Sequence, residues 1–245
     1  MSEARSPTAV DFPSDITLTI INPPPTQRPV NVLILLHGLG DVAQPFANLA
    51  RQMSLPETVC LSIQAPSPLP FDLRGFHWGD DIVFDQSHDG LDVDTGFEKS
   101  HKLLSDGVIK EVLIGKCGYS ARDIMLFGFG QGGIAALKVA ATLVDDELAG
   151  VISVGGPVPA TVQQKTSKSK PKTPVLLLGG SSRSLLTVTA IRNAKDVFEY
   201  VQVTTWQRPG DGMPSNRAEM LPIMAFLARR LRSRVGVPRG AVELS

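Results

Sequence analysis

A glycine-rich run between an apolar strand and a small-residue helix holds the most chemically informative residues of the chain. The run from Leu126 to Gly133 reads L-F-G-F-G-Q-G-G, and Ile134 opens the helical pattern that follows. In this strand-turn-helix setting, the motif G-x-S-x-G presents a serine nucleophile on a sharp, strained turn. Gly130 stands at the serine position here. The run therefore predicts the backbone of a nucleophile elbow without its nucleophile.

Length and composition favour a single α/β domain and exclude several classes of partner. The 245 residues are 42% hydrophobic and carry no net charge, which argues against binding to nucleic acid or to an anionic membrane surface. No apolar run reaches the ~20 residues of a membrane-spanning helix, and the first residues lack the apolar core of a signal peptide. Cys60 and Cys117 are too few for a disulfide scaffold. We expect a cytoplasmic protein.

Short apolar strands alternate with helical patterns along most of the chain. Strand patterns occur at 16–21, 30–36, 58–63, 123–127, 150–154, 174–178 and 199–206, and helical patterns at 44–53, 95–113, 133–143, 187–198 and 216–231. This alternation favours a doubly wound, mostly parallel sheet with helices on both faces, in which 16–21 is an edge strand. We predict one domain over residues 14–233 with a basic surface insertion over 161–173, a flexible N-terminal tail over 1–13 and a C-terminal tail over 234–245.

Four motifs in the expected order carry a resemblance to a known family. They are Leu36–Asp41, Gly75–Asp80, the run Gly128–Gly133 preceded by Ile124, and Glu219–Met220 with the helix after it. Together they resemble the acyl-protein thioesterase family, also called the phospholipase/carboxylesterase family, a compact branch of the α/β-hydrolases. The resemblance runs from about Val30 to Leu231 and implies an α/β-hydrolase fold. Members hydrolyse acyl thioesters and small carboxylic esters with a Ser-Asp-His triad and no cofactor, so no cofactor or metal is expected.

The triad of that family does not carry over to this chain. On the family pattern Gly130 takes the nucleophile position and Arg183 the acid position. Met213 takes the base position when the loop is counted back from Glu219, although the motifs do not fix the register there. All four histidines, His37, His77, His88 and His101, precede the elbow. Because a serine hydroxyl needs a positioned base and an orienting carboxylate, the sequence predicts a catalytically degenerate relative, a pseudoenzyme.

Other parts of the family's site are predicted to persist. The resemblance places two oxyanion donors at the backbone N–H groups of Leu39 and Gln131. Such donors attract a carbonyl oxygen or an anion whether or not a nucleophile is present. We therefore expect a notch for an acyl ester, thioester or carboxylate-like ligand. His77 and Trp78 in the tryptophan loop, with His37 at the first turn, are the candidates for lining this pocket, although His37 is more typical of a structural turn residue.

Two alternatives remain open at the level of sequence. One is an active carboxylic ester or thioester hydrolase of the palmitoyl-protein hydrolase type, in which His77 or His88 reaches a relocated nucleophile. The other is a structural subunit that binds a protein partner through residues 165–172. The acidic residues around His88 have spacings that fit no recognised metal site, so a solvated loop is favoured over a metal centre there.

Overall fold

Seven strands form a single mixed sheet in the computed structural model, which describes residues 4–71, 73–85, 90–144, 146–163 and 169–234. The strands are β1 (Leu18–Ile21), β2 (Asn31–Leu36), β3 (Thr58–Ile63), β4 (Ile124–Phe129), β5 (Gly150–Val154), β6 (Val175–Gly179) and β7 (Val201–Thr205). Their order across the sheet is β1-β3-β2-β4-β5-β6-β7. Only the edge strand β1 is antiparallel to its neighbour. The predicted mostly parallel sheet is confirmed.

Helices follow the strands in the alternation that the sequence predicts. They are α1 (Ala43–Met53), α2 (Glu98–His101, continued as a π-helix over Lys102–Lys116), α3 (Gln131–Thr142), α4 (Ala160–Gln163), α5 (Val188–Val197) and α6 (Arg217–Arg230). Among the described residues, no helix is both long and apolar enough to cross a bilayer.

The core has two layers because successive side chains of a strand point to opposite faces of the sheet. In β2, Leu33 shares one layer with Phe46 of α1 and Phe226 of α6. The next residue, Ile34, lies in the other layer with Val108, which belongs to the π-helix that continues α2. Strand β2 is buried along its whole length and β4 is buried up to Gly128, which explains their continuous apolar sequence. Helices on both faces and a single domain are thus confirmed.

The N-terminal segment differs from the flexible tail that the sequence predicts. Residue Phe12 is 6% exposed and belongs to the hydrophobic core. The backbone N–H of Arg5 donates to the carbonyl oxygen of Cys117 at 3.0 Å, and its guanidinium pairs with Asp11 at 2.6 Å. A terminal segment stays in place when it has such an apolar anchor, and one aromatic ring supplies it here.

The structure describes both ends of the predicted basic insertion over residues 161–173. Its start belongs to α4, where Val162 is 6% exposed, and its end is anchored by Thr173, whose hydroxyl accepts from the N–H of Leu148 at 3.0 Å. Residues 164–168 lie outside the described residues, as do 235–245 of the predicted C-terminal tail.

The sheet order places the turns that carry the family motifs side by side. Strands β2 and β4 are adjacent and parallel, and the chain leaves them in opposite directions across the sheet, toward β3 and β5. The carboxyl ends of such a pair form the crevice in which open α/β sheets bind ligands. The turn at Gly38 follows β2 and the turn at Gly130 follows β4, so both border this crevice.

Asn31 provides a test of how the last helix is held against the sheet. Its side chain is 1% exposed, donates to the carbonyl oxygen of Arg232 and accepts from the N–H of the same residue, each at 2.8 Å. We expect Asn31→Ala to lower the free energy of unfolding by about 1–3 kcal/mol, because buried backbone groups lose their partner.

Urea denaturation measures this loss, and Asn48→Ala on the exposed surface of α1 is the matched control. The control should change stability by no more than about 0.5 kcal/mol. Equal effects of the two substitutions would show that the Asn31 contact contributes nothing.

Candidate functional site

Gly130 has the backbone conformation of a sharp strand-to-helix turn. Its φ is 51° and its ψ is −120°, a region that side-chain-bearing residues rarely adopt. Its N–H donates to the carbonyl oxygen of Val154 at 2.8 Å, and its own carbonyl accepts from the N–H of Ile134 at 3.0 Å. A Cβ at Gly130 would meet only the Cα of Gly38, at 3.9 Å. The turn therefore has room for a side chain but carries none.

The two predicted oxyanion donors lie on either side of this turn. Gln131 is the first residue of α3, so its N–H belongs to the unpaired first turn of a helix. Leu39 follows Gly38, whose Cα would lie 3.9 Å from a Cβ at Gly130. Within the described residues, no hydrogen bond engages the backbone N–H of Leu39 or of Gln131. Both groups remain able to donate to a carbonyl oxygen or an anion.

A buried polar brace holds these two segments together. The side-chain oxygen of Gln131 accepts from the backbone N–H of Trp78 at 3.0 Å. The indole N–H of Trp78 donates to the carbonyl oxygen of His37 at 2.8 Å. Trp78 is 0% exposed, so it supports the site from behind. The sequence-based assignment of Trp78 as a pocket-lining residue is corrected by this burial.

His37 is also a supporting residue and does not line a pocket as predicted. Its Nδ1 lies 2.8 Å from the carbonyl oxygen of Gly38, and its Nε2 accepts from the N–H of Ala65 at 3.0 Å. These partners require the neutral ring with its proton on Nδ1. Burial lowers the pKa of His37, which favours the same state. With both nitrogens engaged, the ring has no free position from which to take a proton.

Arg183, which the sequence predicts at the acid position, lies in an exposed turn with φ of 49°. The carboxylate that the structure does place in this region is Asp211, which sequence reasoning missed. Its Oδ1 accepts from the N–H of Gly180 at 3.0 Å and from the hydroxyl of Ser184 at 2.6 Å, and its Oδ2 accepts from the N–H of Leu185 at 2.8 Å. Asp211 thus joins the loop after β7 to the loop after β6. The signal in the sequence was the Gly-Asp-Gly turn at 210–212, in a loop of unfixed register.

Met213 is the residue that the sequence predicts at the base position, and its thioether cannot accept a proton at any ordinary pH. An ion pair beneath it fixes the loop: the guanidinium of Arg208 donates to the carbonyl oxygen of Met213 at 2.9 Å and to the carboxylate of Glu219 at 3.0 Å. Arg208 and the N–H of Ser215 together hold the pKa of Glu219 at about 2. The ion pair between Arg208 and Glu219 therefore stabilises the backbone of the loop that contains Met213.

The other described histidines, His77 and His101, are not assembled into a triad with any described residue. His101 bonds through Nε2 to the hydroxyl of Thr142 at 2.7 Å, and His88 lies outside the described residues. His77 borders a cleft beside the tryptophan loop. None of the three described histidines is hydrogen-bonded to a carboxylate, and the described residues hold no group of three or more His, Cys, Asp or Glu side chains suited to a metal ion.

Comparison with known proteins agrees with the observed fold. The sequence model of the phospholipase/carboxylesterase family matches residues 19–229. The chain belongs to the phospholipase/carboxylesterase family. An uncharacterized hydrolase of Schizosaccharomyces pombe, C9G1.08c, is 31% identical over 211 residues, which cover 82% of this chain and 83% of that protein. Acyl-protein thioesterase 1 of Neurospora crassa is 26% identical over 226 residues, 85% of this chain and 90% of that protein.

Solved structures of phospholipase/carboxylesterase type show the same fold. The crystal structure of esterase PE8 superposes with a TM-score of 0.70 at 23% identity, covering 88% of this chain and 99% of the esterase. The acyl-protein thioesterase 2 of Zea mays superposes with a TM-score of 0.66 at 19% identity, with the same coverage. The α/β-hydrolase fold predicted from the sequence is thereby confirmed.

The carboxylate of Glu219 makes a testable contribution to pH-dependent stability. Since its pKa in the fold is about 2, against an ordinary 4.5, its stabilising contribution is fully present above pH 4.5 and is lost as pH falls toward 2. We expect Glu219→Gln to melt at a lower temperature than the natural chain at pH 7. The gap between the two melting temperatures should narrow below pH 4.5.

Melting curves between pH 2.5 and 7 test this expectation, with Glu111→Gln as the control. Glu111 pairs with Lys116 at 2.8 Å on the exposed surface, where such a pair contributes little. A Glu219→Gln gap that stays constant down to pH 2.5 would contradict the assignment.

Proposed function

We propose that this chain is a catalytically degenerate member of the phospholipase/carboxylesterase family that binds a carbonyl or carboxylate ligand and does not hydrolyse esters. The observation that carries the proposal is Gly130, which holds the strained turn of a nucleophile elbow with no side chain to attack. Arg183 and Met213, at the acid and base positions, cannot orient or accept a proton.

The magnitude of triad catalysis supports this proposal. Well-studied hydrolases that lose triad residues keep roughly 10³–10⁴-fold acceleration over water, from the oxyanion donors and from binding alone. Ordinary enzymes reach about 10⁶-fold or more. A site with free N–H groups at Leu39 and Gln131 and no nucleophile is therefore suited to binding. The ligand oxygen would sit where an oxyanion develops in an active relative.

The alternative of an active hydrolase with a relocated triad finds no support among the described histidines. The ring nitrogens of His37 are both engaged, and His101 is bonded to Thr142. His77 has no carboxylate partner in the described part of the chain. Both cysteines are free and buried, a state in keeping with a reducing, cytoplasmic setting, which we include in the proposal.

Two measurements on the full chain test the proposed function. A fluorophosphonate probe labels only an activated serine, so we expect no labelling under conditions that label an active carboxylesterase. Titration with butyrate should shift the backbone amide signals of Leu39 and Gln131, whereas 1-butanol, which lacks the anionic oxygens, should not. Covalent labelling of any serine would overturn the proposal, and so would amide signals unmoved by butyrate.

Substitutions at Gly130 distinguish the cost of backbone strain from any gain of hydrolytic activity. Gly130→Ser and Gly130→Ala should each lower the free energy of unfolding by about 1–3 kcal/mol, because a side chain must adopt φ near +51°. Space is not the cause, since the nearest atom to the new Cβ is 3.9 Å away.

Neither variant should hydrolyse p-nitrophenyl butyrate, because no base is available to the new hydroxyl. The alanine variant is the control for strain without a hydroxyl. Turnover by Gly130→Ser alone would show that a base acts at this position after all.

A further inference from the structure

A groove of about 360 Å³ opens at the amino end of the sheet, between the loop after β1 and the end of α1. Residues 21–25, which include three consecutive prolines, form one wall, and the end of α1 with Leu55 and Cys60 forms the other. We call it the proline groove. Its volume lies in the range of roughly 300–1,000 Å³ that is typical of occupied sites. The notch at Gly130 lies at the opposite, carboxyl end of the parallel strands.

After α6, the chain runs across the amino ends of neighbouring strands toward this groove. Asn31, the first residue of β2, holds both backbone groups of Arg232 at 2.8 Å. Glu57, which directly precedes β3, accepts from the N–H of Arg234 at 3.1 Å. The next strand in the order of the sheet is β1, and its last residue, Ile21, lines the proline groove. Since neighbouring strands lie about 5 Å apart, the described chain ends close to the groove and is directed toward it.

Glu57 is held in place for this contact by its surroundings. It is 6% exposed and has φ of 50°, a left-handed conformation that side-chain-bearing residues rarely adopt. Its N–H donates to the side-chain oxygen of Gln27 at 2.9 Å, and its carbonyl oxygen accepts from the N–H of Val30 at 2.8 Å. Its carboxylate also accepts from the hydroxyl of Ser233 at 2.6 Å. Because strained residues cluster where a clamp or a binding site holds them, Glu57 marks the course of the chain at Arg234 as specified.

The groove also continues a layer of the core that the end of α6 already covers. Leu55 and Cys60 of the groove belong to the layer shared by α1 and α6. Ile21 and Leu231, the residue that follows α6, both pack against that layer. A chain that leaves Leu231 along this face therefore extends an existing apolar contact into the groove.

The residues that follow Arg234 match the groove in length and chemistry. Residues 235–245 span up to about 35 Å when extended, which is enough to cross the groove. They carry one arginine, one glutamate and four large apolar side chains, Val235, Val237, Val242 and Leu244. Arg51 is the charged residue of the lining, is exposed, and pairs with no carboxylate among the described residues. Glu243 supplies the carboxylate that Arg51 lacks.

We propose that residues 235–245 continue the path of Arg232–Arg234 and occupy the proline groove. Their apolar side chains pack on Ile21 and Leu55, and Glu243 pairs with Arg51. The segment then covers the amino end of the sheet beside β1, while the notch at Gly130 stays open at the other end. This docking does not depend on the proposed function.

Methyl NOEs in the full chain test the proposal without any substitution. We expect NOEs that join a methyl group of Val235, Val237, Val242 or Leu244 to one of Ile21 or Leu55. A mixture of two differently labelled copies should show these NOEs within one chain only. NOEs between copies would assign the groove to a second copy, and no NOE at all would leave it to another partner. Either result would overturn the proposal.

An acidic substitution in the segment provides a second test. The double variant Val242→Asp/Leu244→Asp should lose these NOEs and shift the methyl signals of Ile21 and Leu55, because a carboxylate is costly to bury against apolar side chains. The matched control, Val188→Asp, places the same charge on a side chain of α5 that is 80% exposed, and should leave both methyl signals in place. Equal shifts in the variant and the control would contradict docking.

Charge reversal tests the pairing of Glu243 with Arg51. Arg51→Glu and Glu243→Arg should each lower the urea midpoint, and the two together should recover most of the loss, because contacting residues are energetically coupled. Arg192→Glu on the exposed surface of α5 is the control, and it should recover nothing when combined with Glu243→Arg. Purely additive losses in the Arg51 and Glu243 pair would overturn the assigned contact. Butyrate binding, read at Leu39 and Gln131, should be unchanged in all these variants, so failure of docking is distinguishable from failure of the proposed function.

Discussion

The close approach of backbone segments at the carboxyl end of β4 is the constraint on which the rest of the structure depends. A Cβ at Gly132 would lie 2.4 Å from the carbonyl oxygens of Leu36 and His37, and a Cβ at Gly128 would lie 2.2 Å from the carbonyl oxygen of Gly132. Only glycine permits helix α3 to start this near to β2 and β4. The N-terminus of α3 is thereby aimed into the crevice between the two strands, and this geometry comes from the backbone alone. It therefore survives with or without a side chain at Gly130.

Polar contacts around the crevice stabilise loops where an active relative would move protons. The carboxylate of Asp211 is satisfied by two backbone N–H groups and the Ser184 hydroxyl, and among the described residues it bonds to no imidazole. Arg208 and Glu219 hold the loop that contains Met213. Because donors from the loop after β6 occupy its oxygens, the carboxylate of Asp211 stabilises that loop but is poorly placed to orient a base. This arrangement supports a binding site more than a catalytic one.

Most of the fold could be predicted from the sequence, because buried parallel strands are continuous apolar runs and amphipathic helices repeat with their own period. Strand β3 was predicted at its observed bounds, Thr58–Ile63, and β1 was predicted as an edge strand. The elbow was predictable because its glycines all lie within residues 128–133. The anchor at Phe12 was not, since one aromatic residue in a polar segment shows no periodicity. Asp211 was missed because loop register depends on contacts between β6 and β7 that no local pattern encodes.

By itself, the sequence determined the order of the elements, the family motifs and the absence of a side chain at Gly130. These properties are local, set by residue type and by spacing along the chain. Only the tertiary structure decided that Trp78 and His37 are buried supports, that Asp211 joins two loops, and that Nδ1 of His77 is buried without a hydrogen-bond partner. Burial and hydrogen-bond partners depend on segments distant in sequence, and those segments meet only when the sheet has formed.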